Sequence, residues 1–99
     1  MEVIFRTNAL QRCYEDSSRA TRQWGPEVAR KYISRVNQLY ALKDLNEAFN
    51  LRSMRLHALR GDRSNELSIH LTGPWRLIVA KGDTEESVIV REVSNHYGD

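Results

Sequence analysis

Apolar and polar residues alternate through the second half of the chain, which is the pattern of half-buried β-strands. Between residues 66 and 72, Leu67, Ile69 and Leu71 alternate with polar residues, so one face of this segment is apolar and the other is polar. Turn-forming residues, Gly-Asp at 61–62 and Gly-Pro at 73–74, separate such segments. The pattern predicts an antiparallel meander of three strands, over 54–59, 66–72 and 75–80.

The polar side of this meander is rich in basic residues. If the three strands share their apolar faces, then four side chains share the open face: Arg55, His57, His70 and Arg76. Residues 52–81 contain six Lys or Arg and two acidic residues, a local charge of +4, so the remainder of the chain sums to −2. A basic sheet face suits a polyanion. The alternative is that these arginines only solvate an exposed face.

The first half of the chain predicts a strand followed by a helical hairpin. Val3 and Phe5 alternate with Glu2, Ile4 and Arg6, and Ile4 implies that both faces of this strand are partly covered. Asn8 is a candidate helix cap. A first helix is indicated by a stripe of residues spaced three and four apart: Leu10, Cys13, Ser17, Ala20 and Trp24. Gly25-Pro26 ends that helix and begins a second, whose apolar stripe comprises Val28, Tyr32, Val36 and Leu39. Its outer face is predicted to expose Arg30, Lys31 and Arg35.

Two further elements complete the predicted order. Asp44 and Glu47 form a capping-box pattern that opens a short third helix, which ends at Asn50. A last strand is predicted over 87–93. Which of its faces is buried is ambiguous, because Val88 and Val90 compete with Ile89 and Val93 for the core. The order predicts one two-layer α+β domain over residues 1–99, with the helices on one face of a mostly antiparallel sheet and the other face free.

Composition narrows the class of protein. With 99 residues, 40% hydrophobic and 28% charged, the chain suits one small globular domain. No apolar run is long enough to span a membrane, the first residues do not form a signal-peptide pattern, and Cys13 is the one cysteine. We therefore expect a cytoplasmic protein. The histidines lack the local spacing of a zinc site, so neither a metal nor another cofactor is expected.

Three segments in order resemble those of HigB-like toxins, the plasmid-maintenance killer proteins of the RelE/ParE superfamily. They are RLHALRGDR at 55–63, LTGPWRLIV at 71–79 and EVSNHY at 92–97, which look like the family segments "RLHxLKGxR", "LxGxWRLIF" and "EVxxHY". The resemblance spans essentially the whole chain. Arg60 stands where the family commonly has Lys, and other relatives end in Asp-Tyr-His where this chain has Asn95-His96-Tyr97.

The resemblance implies the toxin of a bacterial type II toxin–antitoxin system. Such a toxin cleaves mRNA on the translating ribosome and is silenced by an antitoxin encoded beside it, expected here to bind DNA. Its partners are thus an antitoxin, the ribosome and mRNA. Two alternatives remain: a ParE-like protein that poisons DNA gyrase by binding, and a toxin homologue without activity.

RNA cleavage without a metal requires a base, a cation to stabilise the phosphate, and an acid. Arg76, with Arg60, is the candidate to hold the phosphate, and His96 is the candidate base or acid because histidine titrates near neutral pH. Tyr97 either stacks on a base or is the second acid–base residue, and which of His96 and Tyr97 transfers the proton stays open. His57 is a further candidate to share this work. Four residues are expected to contact RNA or its phosphates: Arg55, His57, Arg60 and Arg63. The plainer interpretations are a surface ion pair for Arg76, a turn-stabilising charge for Arg60 and a solvated tail for His96. His70 is interpreted as structural.

Overall fold

The computed structural model describes residues 1–61 and 65–95. The first half of the chain contains strand β1 (Glu2–Phe5) and helices α1 (Asn8–Glu15), α2 (Ser17–Trp24), α3 (Pro26–Ala41) and α4 (Leu45–Asn50). A 3₁₀ turn (Arg52–Met54) leads to strands β2 (His57–Ala58), β3 (Glu66–Thr72), β4 (Trp75–Lys81) and β5 (Ser87–Ser94). None of the helices in these ranges is long and apolar enough to cross a membrane.

The strands form one mixed sheet in the order β1-β5-β4-β3-β2. Strands β2 to β5 pair antiparallel in sequence, whereas β1 pairs parallel with β5. The helices cover one face of this sheet, and the core between the layers includes Ile69, Leu77 and Val88 from the strands and Tyr32 and Leu39 from α3. The predicted two-layer α+β architecture, including its N-terminal strand, is confirmed.

The predicted first helix is divided into two. Asp16 ends α1 with an extended backbone, and its carboxylate accepts a hydrogen bond from the Ser18 amide at 2.9 Å to begin α2. A short acidic residue suits this position because it caps the exposed amides of a helix N-terminus. The prediction of Asn8 as the first cap is also wrong, since Thr7 Oγ1 accepts the hydrogen bond from the Leu10 amide.

The predicted strand over 54–59 is reduced to two residues, His57 and Ala58. Met54 is fully buried at the end of the 3₁₀ turn, and Arg55 adopts a left-handed conformation with φ of 48°. A left-handed residue breaks the extended geometry of a strand. Pairing with β3 therefore begins only at His57.

Arg35 was predicted to be exposed, and the structure shows it buried, with 8% of its surface accessible. Its guanidinium donates to the carbonyl of His70 at 3.0 Å, to the carbonyl of Ser53 at 2.8 Å and to Gln38 Oε1 at 2.9 Å. Strand β2 pairs with β3 only at Leu67 and Ser68, so the His70 carbonyl at this sheet edge accepts from Arg35 instead. Burial lowers the pKa of Arg35.

The ambiguous facing of the last strand is explained by a β-bulge. Val79 pairs with Val90 and Ile78 pairs with Glu92, so Arg91 is the extra residue. The extra residue resets the alternation, which allows Val88 and Val90 before it, and Val93 after it, to pack on the helix side. Without the bulge, strict alternation along the strand places Val93 on the opposite face from Val88 and Val90.

Candidate functional site

Two rows of paired residues define the sheet face opposite the helices, called here the open face. In one row His70 pairs with Arg76, which pairs in turn with Ser94. In the next row His57 pairs with Ser68, Ser68 with Ile78 and Ile78 with Glu92. His70 and Arg76 project to this face because their strand neighbours, among them Ile69, Leu71 and Leu77, pack in the helix-side core.

Arg76 is held at the β3–β4 turn by backbone carbonyls. Its Nη1 donates to the carbonyl of Gly73 at 2.7 Å and to the carbonyl of Trp75 at 2.9 Å. Gly73 has a φ of 53°, a conformation that glycine adopts without strain, and it presents this carbonyl within the turn. The guanidinium is therefore preorganised at one end of the open face, beside His70.

His70 lies in a cationic environment. Burial is the main cause that lowers its pKa, followed by the charges of Arg76, Arg55, Arg35 and Lys31. Its Nδ1 atom is buried and has no hydrogen-bond partner among residues 1–61 and 65–95. Burial and these charges thus disfavour the protonated form of the imidazole, which adjoins the predicted phosphate-binding arginine.

The structure describes three of the four predicted RNA-contacting residues, and only one of the three lies on a strand of the open face. His57 is exposed on the open face, and its Nδ1 lies 3.1 Å from the carbonyl of Arg55. Arg55 is exposed but lies before β2, so it is not part of the strand that was predicted to carry it. Arg60 is exposed in the segment after β2. Arg63, His96 and Tyr97 lie outside the described residues.

The remainder of the open face differs from the end that carries Arg76. Ile78 and Ala80 are buried along β4, and Glu66 forms an ion pair with Arg91, whose Nε lies 2.7 Å from Glu66 Oε2. Among the described residues, His70 and Arg76 thus lie in the row nearest the β3–β4 turn, and the carboxylates of Glu92 and Glu66 lie farther from the turn. Within the described ranges, no cluster of three or more His, Cys, Asp or Glu is placed to hold a metal ion.

The sequence placed His57, His70 and Arg76 together on the open face, and His70 was interpreted there as structural. This facing follows from alternation, because His70 alternates with Ile69 and Leu71 just as Arg76 alternates with Trp75 and Leu77. The lowered pKa of His70 was not visible in the sequence, because it results from burial and then from cations on β4, in the turn before β2 and on α3.

A solved structure with the same fold is a YoeB/ParE toxin from Agrobacterium tumefaciens. The match has a TM-score of 0.58 and covers 98% of this chain and 100% of that chain, at 16% sequence identity. No protein-family model matches the sequence, and no curated protein matches it. At this identity the likeness concerns the arrangement of the backbone. The chain therefore has the α+β fold of a toxin of the YoeB/ParE type.

Proposed function

We propose that this chain is a HigB-like toxin of a bacterial type II toxin–antitoxin system that cleaves mRNA on the ribosome. The fold it shares with a YoeB/ParE toxin supports the general class. The observation that carries the enzymatic part is the cross-strand pair of His70 and Arg76 on the open face, with His57 on the neighbouring row. Cationic and imidazole groups at one solvent-facing end of a sheet are suited to a phosphodiester.

The proposed reaction is a transesterification within the RNA, in which the phosphorus exchanges its bond to the 5′-oxygen for a bond to the 2′-oxygen. A base removes the proton of the 2′-OH, the 2′-oxygen attacks the adjacent phosphorus, and the bond from phosphorus to the 5′-oxygen breaks. An acid gives a proton to that leaving oxygen, which leaves a 2′,3′-cyclic phosphate and a 5′-OH. Arg76 stabilises the extra negative charge on the phosphate oxygens, and His96 and Tyr97 are the proposed acid–base residues.

The constraint on Arg76 favours this role. Two carbonyls of the turn fix its Nη1, so the guanidinium does not lose much rotational freedom when it binds phosphate. A preorganised donor of this kind contributes about 2.7 to 4 kcal/mol to stabilisation of a transition state. Arg55, His57, Arg60 and Arg63 are proposed to contact the neighbouring RNA.

The test compares variants of the site with a matched arginine. We expect Arg76→Ala to lower ribosome-dependent cleavage by roughly two to three orders of magnitude. His96→Gln removes proton transfer and is expected to lower it about 10²- to 10⁴-fold. Arg30→Ala removes an exposed arginine of α3 and is expected to leave cleavage unchanged. Mapped RNA ends from ribosome-bound mRNA, together with thermal unfolding of each variant, provide the measurement.

Three results would contradict or redirect the proposal. Wild-type rates in folded Arg76→Ala and His96→Gln would show that the site is wrong. Failure of Tyr97→Phe alone would assign the acid–base role to Tyr97. Loss of DNA supercoiling before loss of translation, when the chain is induced, would identify a gyrase poison instead.

The proposed function also implies a specific inhibitor. Co-expression with the small gene beside this one is expected to restore growth and to yield a co-purifying complex, because a toxin of this class is silenced by its antitoxin. Arg76→Ala retains its fold in our proposal and is expected to bind the same antitoxin. Growth that stays arrested, with no complex recovered, would count against a toxin–antitoxin pair.

A further inference from the structure

We infer that His70 is a second phosphate-binding residue, which acts beside Arg76 as a neutral hydrogen-bond donor through Nε2. This inference rests on the proposed function for its substrate, the scissile phosphodiester of RNA. It assigns to His70 a role other than proton transfer. Arg76 supplies the positive charge at the site, and His70 supplies a directional donor without a charge.

The placement of His70 follows from the strand register. His70 and Arg76 are directly paired across β3 and β4, and the Cβ atoms of such a pair lie about 4.5–5.5 Å apart. Both side chains project away from the helices. Arg76 is tethered to the turn at Nη1, so it remains next to the imidazole. One phosphate group is of a size to contact both residues.

The two nitrogens of the ring have different environments. Within the described part of the chain, Nδ1 is buried and has no hydrogen-bond partner, and this does not hold for Nε2. A proton on Nδ1 is thus a buried, unpaired donor. The proton of the neutral ring is therefore better placed on Nε2, and the inference assigns a phosphate oxygen as its acceptor.

The charges around the ring oppose a second proton. The charges that act on it belong to Arg76 on β4, to Arg55 in the turn before β2, and to Arg35 and Lys31 on α3. Among the described residues, His57 is a further titratable group on the open face. The carboxylates that the described residues place on this face are those of Glu66, four residues away along β3, and Glu92, two strands away on β5. Burial and these cations lower the pKa of His70, so we expect the ring to stay neutral below the pH at which an ordinary histidine becomes charged.

The first test uses the folded protein and does not depend on catalysis. Nitrogen-15 NMR of the histidine rings reports both tautomer and protonation, with His70→Gln used to assign the signals. We expect His70 to carry its proton on Nε2 at pH 7 and to titrate below the ordinary histidine value. A proton on Nδ1, or an imidazolium at pH 6.5, would overturn the inference.

The second test uses inorganic phosphate as the probe. Saturable shifts of the His70 Nε2 signal are expected in the wild type and in Arg30→Ala, and they are expected to weaken in Arg76→Ala, which removes the neighbouring charge. Absence of a phosphate-dependent change at His70 would overturn the inference even if the protein cleaves RNA. A change at His70 in a protein that does not cleave RNA would instead retain the phosphate site and refute the proposed nuclease.

The third test separates hydrogen bonding from proton transfer. The amide of His70→Gln donates a hydrogen bond but does not exchange protons near neutral pH, and His70→Leu does neither. We expect ribosome-dependent cleavage to fall roughly 10- to 100-fold in His70→Leu and by less than about 10-fold in His70→Gln. Equal losses in both variants would show that the imidazole transfers a proton. Wild-type rates in both would show that His70 is not at the site.

Discussion

At the scale of single residues, three basic side chains of α3 show how far sequence reasoning extends. Arg30, Lys31 and Arg35 were predicted to share a solvated face, yet Arg30 is exposed and Arg35 is buried. The difference does not come from helical periodicity. It arises because β2 pairs with β3 for only two residues, which leaves carbonyls of His70 and Ser53 near α3 for one guanidinium.

We expect Arg35→Ala to destabilise the fold severely. The substitution removes the donor to two backbone carbonyls and to Gln38, and one hydrogen bond to a charged group contributes about 1.5–3 kcal/mol. Chemical denaturation is expected to show a loss at or above this range. Arg30→Ala, on the exposed side of the same helix, is expected to change the free energy of unfolding by less than about 0.5 kcal/mol. Equal effects of the two substitutions would contradict a structural role for Arg35.

The geometry of the candidate site could be predicted in part, because local alternation is visible in the sequence and tertiary surroundings are not. The direction of Arg76 follows from local alternation, because Trp75 and Leu77 determine the core side of its strand. The lowered pKa of His70 depends on burial and then on cations from three separate elements, and no local pattern contains that information. Local geometry was therefore readable from the sequence, whereas the electrostatic environment required the tertiary structure.

At the scale of secondary-structure elements, predictions succeeded where the local pattern is regular. Strand β3 was predicted with its observed bounds, and β4 and β5 each extend one residue beyond theirs. Errors occurred where one residue interrupts a regular pattern. Asp16 divides a continuous helical stripe, Arg55 replaces half of a strand with a turn, and Arg91 adds a bulge.

We expect deletion of Arg91 to be much more harmful than its truncation. Arg91→Ala removes a partly exposed ion pair with Glu66, and such pairs contribute up to about 1 kcal/mol. Deletion removes the extra residue of the bulge, so the valines on its two sides no longer face the helices together. We expect a loss of about 3 kcal/mol or more, since at least one valine or Glu92 then changes face. Thermal unfolding of the two variants tests the assignment of Arg91 as the bulge residue. Equal stability of the two variants would contradict it.

The junction between α2 and α3 provides a second test at this scale. Gly25 has a φ of 87° and a ψ of 163°, a combination that is essentially restricted to glycine. Its amide donates to the Thr21 carbonyl at 2.8 Å, and its carbonyl accepts from the Ala29 amide at 3.0 Å, so both helices depend on it. We expect Gly25→Ala to reduce the free energy of unfolding by about 1–3 kcal/mol through backbone strain, because an added Cβ meets no atom within 4 Å. The neighbouring exposed residue provides the control, as Gln23→Ala is expected to be nearly neutral. Comparable stability of Gly25→Ala and wild type would show that the backbone relaxes.

At the scale of the whole molecule, the sheet order was not available from local patterns. Strand β1 pairs with β5 from the other end of the sequence, and its register aligns Val3 with Val88. The complete sheet has the helices on one face, and its other face carries His70 and Arg76 as a cross-strand pair near the β3–β4 turn. The distribution of charge then decides what this small domain binds by itself.

We expect cleavage to require the ribosome. The net charge is only +2, and the same sheet face also carries the carboxylates of Glu66 and Glu92. Affinity for free RNA depends on how many phosphates the protein neutralises, so a domain with few free cations on a shallow face binds a flexible message weakly at physiological salt. The ribosome holds the message in a defined conformation, and ribosomal RNA offers the toxin a second polyanionic surface. A single mRNA is therefore expected to be cut when it is being translated and to remain nearly intact when the same protein concentration is added to it alone.

Arg76→Ala is the control for contaminating nuclease in both reactions. Efficient cutting of the free message at physiological salt, abolished by Arg76→Ala, would retain the active site and refute the dependence on the ribosome.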